Sequence, residues 1–162
     1  MSVKPIELVV VDFDGTLYNS PQPLLGNSGW WYSAKSLEGF GEPGWDPKWN
    51  LPVLIETRRA LQSPWTRTVL ISTRPQHVEM QSMINGMLVS ADLKFHLVQL
   101  KPPVSTLSDA SFKAGIVQKL ILSEPSISKV TMFEDEPANI EAVSNTTKRL
   151  SRQFVPMLIS AP

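Results

Sequence analysis

Cysteine is absent from all 162 residues. That absence removes disulfide scaffolds, thiol nucleophiles and cysteine-bound zinc from consideration. No apolar run approaches the ~20 residues that span a bilayer. The opening Met1-Ser2-Val3-Lys4-Pro5 lacks the apolar stretch of a signal peptide. The expectation is a soluble intracellular protein, cytoplasmic or nuclear. Excess charge is missing too: Lys plus Arg and Asp plus Glu number 15 each. A zero balance argues against a general polyanion binder, though it leaves room for local recognition of one phosphate. No Gly-rich phosphate loop occurs, so ATP-dependent kinase chemistry has no support. The two histidines, His77 and His96, have no matching partner nearby in sequence. They read as a helix-surface and a strand side chain.

What is present is enough apolar residue, 42% against 19% charged, to build a core in a domain of ordinary size. Charge is uneven. The first 57 residues carry seven acids and three bases, whereas six bases face two acids from Arg58 to Lys101. The most informative stretch is Ile6-Glu7-Leu8-Val9-Val10-Val11-Asp12-Phe13-Asp14-Gly15-Thr16-Leu17. Its β-branched run predicts a buried parallel strand, broken by Gly15 and Thr16. Open α/β sheets bind ligands beyond the carboxyl ends of such strands. Asp12 and Asp14, two apart, leave one face of an extended chain. Two close carboxylates repel unless a cation or a shared proton relieves them. The pair therefore points to a metal, a general acid, or both.

Strands and helices alternate along the rest. Strands are predicted at 6–12, 67–72, 95–100, 129–134 and 153–159, and helices at about 51–62, 76–90, 110–122 and 137–147. Asn50 is a candidate cap for the first helix, with Pro52 in its first turn. Gly86 is a weak point in the second. Such alternation predicts an α/β, parallel, doubly wound sheet. Residues 18–50 break the pattern. They hold Trp30, Trp31, Trp45 and Trp49, together with Tyr18, Tyr32, Phe40 and many Gly and Pro. This composition disfavours regular structure.

Four motifs in order resemble the haloacid dehalogenase (HAD) superfamily. They are Asp12-Phe13-Asp14-Gly15-Thr16-Leu17, then Val69-Leu70-Ile71-Ser72-Thr73-Arg74, then Ser111-Phe112-Lys113, and last Val130-Thr131-Met132-Phe133-Glu134-Asp135. The segments Gly29-Trp30-Trp31, Ser36-Leu37, Leu100-Lys101-Pro102 and Phe112-Lys113 resemble, more narrowly, the HAD domain of Swiss Army Knife RNA repair-like proteins. The resemblance implies a three-layer Rossmann-like fold with a five-stranded parallel sheet of order 5-4-1-2-3. It implies one HAD-like domain over 1–162. The place after the first motif is where HAD proteins insert a cap, and 18–50 is too short for a full one. It reads as an ordered aromatic flap.

The resemblance also assigns roles. Asp12 would be the nucleophile, forming an aspartyl-phosphate. Asp14 would be the general acid, protonating the leaving oxygen and then deprotonating water. Ser72 would donate to a phosphate oxygen, with Thr73 a rival for that contact. Lys113 would offset charge between Asp12 and the phosphoryl group, with Lys101 as competitor or as a substrate contact. Asp12, the Asp14 carbonyl and Asp135 would hold Mg²⁺, which suits an all-oxygen set. Glu134 would support them, and Asn139 would orient Asp135 or sit on its helix. Gly15 and Thr16 would turn the chain beside the phosphate. Arg74 would pair with substrate phosphate or form a surface ion pair. Trp30 and Trp31 are stacking candidates for a nucleobase, against the alternative that the aromatic residues pack as a small core of their own.

The function implied is Mg²⁺-dependent phosphomonoester hydrolysis. A DNA or RNA end is the first substrate class, as in polynucleotide 3′-phosphatase chemistry. A small-nucleotide or metabolite phosphatase, a non-catalytic binding module of the same fold, and a piece of a larger repair assembly are the other readings.

Overall fold

The computed structural model describes residues 3–21, 32–38 and 48–160. Five strands form one parallel sheet: β1 (Ile6–Val11), β2 (Thr66–Pro75), β3 (Leu97–Lys101), β4 (Ile127–Glu134) and β5 (Gln153–Leu158). Their order is β3-β2-β1-β4-β5. This is the order the family resemblance implied, read from the other edge. Four helices connect them: α1 (Leu51–Gln62), α2 (Val78–Ser90), α3 (Asp109–Ser123) and α4 (Pro137–Arg149). A 3-10 turn, Ala34–Leu37, lies among the described residues between β1 and α1; sequence patterning did not predict it.

The central position of β1 explains its β-branched composition. Every residue but Glu7 is buried, because a strand covered on both faces has no solvent side. One core lies on the α1 and α2 face, around Val9, Val11, Leu70, Met80 and Ile84. The other lies under α3 and α4, around Leu8, Val10, Phe112, Val117 and Val143. Edge strand β5 is largely exposed.

Boundaries moved where caps or pairings decide them. Helix α2 starts at Val78 because His77 is extended and its Nδ1 accepts from the Met80 N–H at 3.2 Å. His96 likewise serves the fold, its Nδ1 accepting from the Thr68 N–H at 2.9 Å. Asn50 occupies the cap position of α1, but its side chain makes no capping bond. Strand β2 runs on to Pro75, which pairs with Lys101 after an irregularity beyond Ile71.

After β1 the chain folds back on itself. Leu17 N–H donates to Asp12 O, and Tyr18 N–H to Phe13 O. Tyr18 stacks on Phe13 at 5.7 Å and meets Trp49 edge-on at 4.9 Å. All three belong to the α1/α2-side core, as does Leu37. These aromatic residues therefore pack. Trp30, Trp31, Phe40 and Trp45 lie outside the described residues.

Candidate active site

The carboxyl ends of β1, β2 and β4 and the first turns of α3 converge on Asp12. Its side chain is buried, with Oδ2 accepting from Thr16 Oγ1 at 2.9 Å and Oδ1 from Lys113 Nζ at 2.6 Å. Lys113 is 2% exposed and gives a second bond, at 2.7 Å, to Glu134 Oε2. The other oxygen of Glu134 accepts the Asp135 and Glu136 backbone N–H groups, each at 3.1 Å. Ser108 Oγ fixes the start of α3 by accepting from the Ser111 N–H, and that fixes where Lys113 can reach.

Oxygens of Asp12, Glu134 and Asp135 lie within 4.8 Å of one another. Three carboxylates beside the one ammonium of Lys113 leave two negative charges. The donors are all oxygen. This chemistry suits a hard divalent cation such as Mg²⁺, so the cluster can coordinate one. Burial pushes the Asp12 carboxyl up to about 7, against the opposing pull of Lys113. Burial also raises Glu134 and Asp135. On Lys113, burial works to lower the ammonium, but Asp12 and Glu134 outweigh it and hold the group above its ordinary value.

Gly15 closes the site from the β1 side. Its φ is +73°, and a Cβ there would collide with Asp135 Oδ2. Two things favour glycine here: the left-handed backbone, which side chains rarely adopt, and the carboxyl of a candidate metal ligand, which a Cβ would push aside.

Asp14 lies in a different environment. Its carboxylate is gripped by Arg74, with Nε at 3.1 and 2.9 Å from the two oxygens and Nη2 at 2.8 Å from Oδ1. Ser20 Oγ donates to it as well. Arg74 is 1% exposed, so it is no surface ion pair; its Nη1 donates to Ser36 Oγ at 2.7 Å, tying the 3-10 turn to the site. Asp14 is thus outside the carboxylate cluster, and only its backbone carbonyl remains as the metal contact the resemblance suggested.

Of the two adjacent hydroxyls, Ser72 is buried, its Oγ accepting from the Arg74 N–H at 3.2 Å. Thr73 lines an open cleft of about 660 Å³ beside the site, together with Tyr32, Lys101, Asp109 and Glu136. Lys101 does not reach Asp12; its Nζ lies 3.0 Å from Asp109 Oδ1. Lys113 is the lysine on Asp12. Asn139 is buried on α4. Sequence reasoning gave no role to Ser20 or Ser36 and made Glu134 only a support. Ser20 carries no signal in the sequence, Ser36 entered only within the Ser36-Leu37 segment of the resemblance, and Glu134 needed the strand register to be placed.

Residues 15–160 match the family described as HAD domain family 1 in Swiss Army Knife RNA repair proteins. The chain belongs to this family. It has the HAD fold, and its Asp/Glu cluster supports a hydrolase role at the level of the superfamily. Among solved structures it is similar to a chain of the Pnkp1/Rnl/Hen1 RNA repair complex, with TM-score 0.61 and 16% identity over 98% of this chain and 48% of the other. The protein thus spans about half the length of that relative. The HAD domain of effector protein Lem4 from Legionella pneumophila gives a TM-score of 0.59 at 14% identity, covering 98% of this chain and 88% of that one. The Legionella pneumophila effector Ceg4 gives 0.58 at 10%, covering 99% and 89%. At these identities the likeness is one of fold. No curated protein matches the sequence. Among the described residues, no helix is long and apolar enough to cross a membrane.

Proposed function

We propose that this protein is a Mg²⁺-dependent phosphomonoester hydrolase that works through an aspartyl-phosphate on Asp12. Its first substrate class is a 3′-phosphorylated nucleic-acid end. The observation that carries the reading is the placement of two aspartates in opposite settings. Asp12 is held by Thr16 and Lys113 within the acidic cluster, while Asp14, two residues on, is held by Arg74 outside it.

In this reading an Asp12 oxygen attacks phosphorus and the ester P–O bond breaks. Arg74 and Ser20 are donors to the Asp14 carboxylate, so Asp14 takes up a proton from solvent and passes it to the leaving oxygen. Water then attacks the phosphoryl group, Asp14 takes back a proton, and the Asp12 carboxylate is released with phosphate. Arg74 and Ser20 hold Asp14 in one direction throughout. Lys113 keeps positive charge against Asp12 as phosphoryl charge arrives. The Thr73 hydroxyl, and the proton left on Ser72, are the donors for phosphate oxygens. Asp12, Glu134, Asp135 and the Asp14 carbonyl are the groups to hold Mg²⁺. When bound, the ion neutralises phosphoryl charge and orients the phosphate.

Family membership and the fold shared with the RNA repair chain support a nucleic-acid end. The size of the cleft supports the second reading, a small-nucleotide phosphatase, because about 660 Å³ suits one nucleotide-sized group. One experiment separates these readings: phosphate release, with and without Mg²⁺, from a short 3′-phosphorylated oligonucleotide, a mononucleotide and an aryl phosphate. Release from the oligonucleotide that needs Mg²⁺ supports the proposal. Turnover of small esters alone transfers the assignment to metabolite chemistry. Failure on every ester leaves the fold as a binding module.

A further inference from the structure

The cleft lined by Thr73 and Glu136 has a charge pattern of its own. Its walls are the neighbours of site residues: Thr73 follows Ser72, and Glu136 follows Asp135. The far wall carries Lys101, the last residue of β3, and Asp109, the first of α3, paired at 3.0 Å. Lys101 is the one cation among the described lining residues, and it stands with two acids, Asp109 and Glu136. The other cations at the site, Arg74 and Lys113, already face carboxylates. Lys35 and Lys48 do not line the cleft.

A second phosphate placed at Lys101 would meet Asp109 and Glu136 as well, and like charges repel. A hydroxyl fits the pair. It donates to the Asp109 carboxylate and accepts from the Lys101 ammonium, using both of its capacities at once. Tyr32, exposed on the same cleft, offers a ring face for a base.

We propose that the Lys101–Asp109 pair is a hydroxyl-reading subsite, taking the sugar hydroxyl next to the phosphorylated one in a single terminal ribonucleotide. This rests on the phosphohydrolase reading for the position of the phosphate. It goes further in naming the substrate as a ribonucleoside phosphate rather than a deoxyribonucleoside or polyphosphate ligand. Because the subsite reads one hydroxyl of the terminal nucleotide, lengthening the polymer adds little to what it reads.

Binding, measured apart from turnover, tests this. Calorimetry on the Asp12→Asn protein with Mg²⁺ compares adenosine 3′-monophosphate with its 2′-deoxy counterpart. The ribonucleotide is expected to bind roughly tenfold more tightly, the worth of a hydrogen bond to a charged group. That preference is expected to vanish in Asp109→Asn and in Lys101→Met. A short 3′-phosphorylated oligonucleotide is expected to bind within a few-fold of the mononucleotide, with shallow salt dependence. Equal affinity for the two sugars, a preference that survives both variants, no binding of either nucleotide, or a steeply salt-dependent gain from the oligonucleotide would each overturn the subsite. Wild-type turnover of an aryl phosphate is scored separately. No turnover with the sugar preference intact would remove the catalytic reading and leave the subsite. Turnover without the preference would do the reverse.

Discussion

Asp12, Lys113 and Glu134 share one buried ion triad, and its balance sets what substitutions do. Removing Lys113 leaves two carboxylates buried without their cation. Breaking such a pair costs about 3–5 kcal/mol. Lys113→Met is therefore expected to lower the denaturant midpoint steeply and to abolish turnover. Added Mg²⁺ should recover part of the stability, because it supplies positive charge to the same carboxylates. Gly15→Ala acts on the other side of the cluster. Its left-handed backbone costs roughly 1–2 kcal/mol with a side chain, and the new methyl group would displace Asp135. The expected result is a folded protein whose melting temperature no longer responds to Mg²⁺. The acidic motif was legible residue by residue, because Asp12-Phe13-Asp14-Gly15 and Glu134-Asp135 stand where apolar runs stop. The Arg74–Asp14 grip was not. Side chains 60 positions apart meet only through the parallel pairing of β1 and β2, which sequence periodicity does not reveal.

At the scale of elements, regular structure follows local signals closely. Helix α1 covers the predicted span, and α3 begins one residue after a Ser108 cap that holds the Ser111 N–H. Helix α2 passes through Gly86 without interruption, although glycine weakens a helix interior by roughly 0.5–1 kcal/mol. A Cβ on Gly86 would meet nothing within 4 Å. Gly86→Ala is therefore expected to stabilise the protein by up to about 1 kcal/mol, read as a raised unfolding midpoint at unchanged activity. The start of α2 was misplaced in the sequence reading because histidine is no usual cap. His77 Nδ1 nonetheless takes that role, and its Nε2 lies 3.2 Å from Tyr32 O, beside the 3-10 turn. The turn itself is held by Ser36 on Arg74 and by Leu37 in the core. The family resemblance singles out Ser36-Leu37, but no local pattern gives either contact.

Across the whole molecule, the sheet brings β1, β2 and β4 together at their carboxyl ends, and the stability of the protein becomes linked to the charge gathered there. The folded state raises Asp12 from 3.8 to about 7. It therefore binds a proton more tightly than the unfolded chain. The linked stability is fully present below 3.8 and is lost as pH rises through about 7. Metal-free protein should accordingly lose stability on going from mildly acidic to neutral solution. Mg²⁺ must replace that proton, so its stabilising effect should grow over the same interval; thermal melts at several pH values, with Mg²⁺ or with a chelator, read both trends. Alternating strands and helices were enough to predict a parallel α/β sheet. The strand order needed the family resemblance, since β1 lies between β2 and β4 and no local pattern encodes that.

The most direct test of the phosphohydrolase reading is to find the phosphoryl group on the protein. A single turnover of 3′-phosphorylated oligonucleotide with Mg²⁺, quenched in acid and mapped by peptide mass spectrometry, should place it on Asp12. The Asp12→Asn protein should carry none, with turnover reduced at least about a thousandfold. Phosphate release without any protein-bound phosphoryl group, a phosphoryl group elsewhere, or near-normal turnover by Asp12→Asn would contradict it.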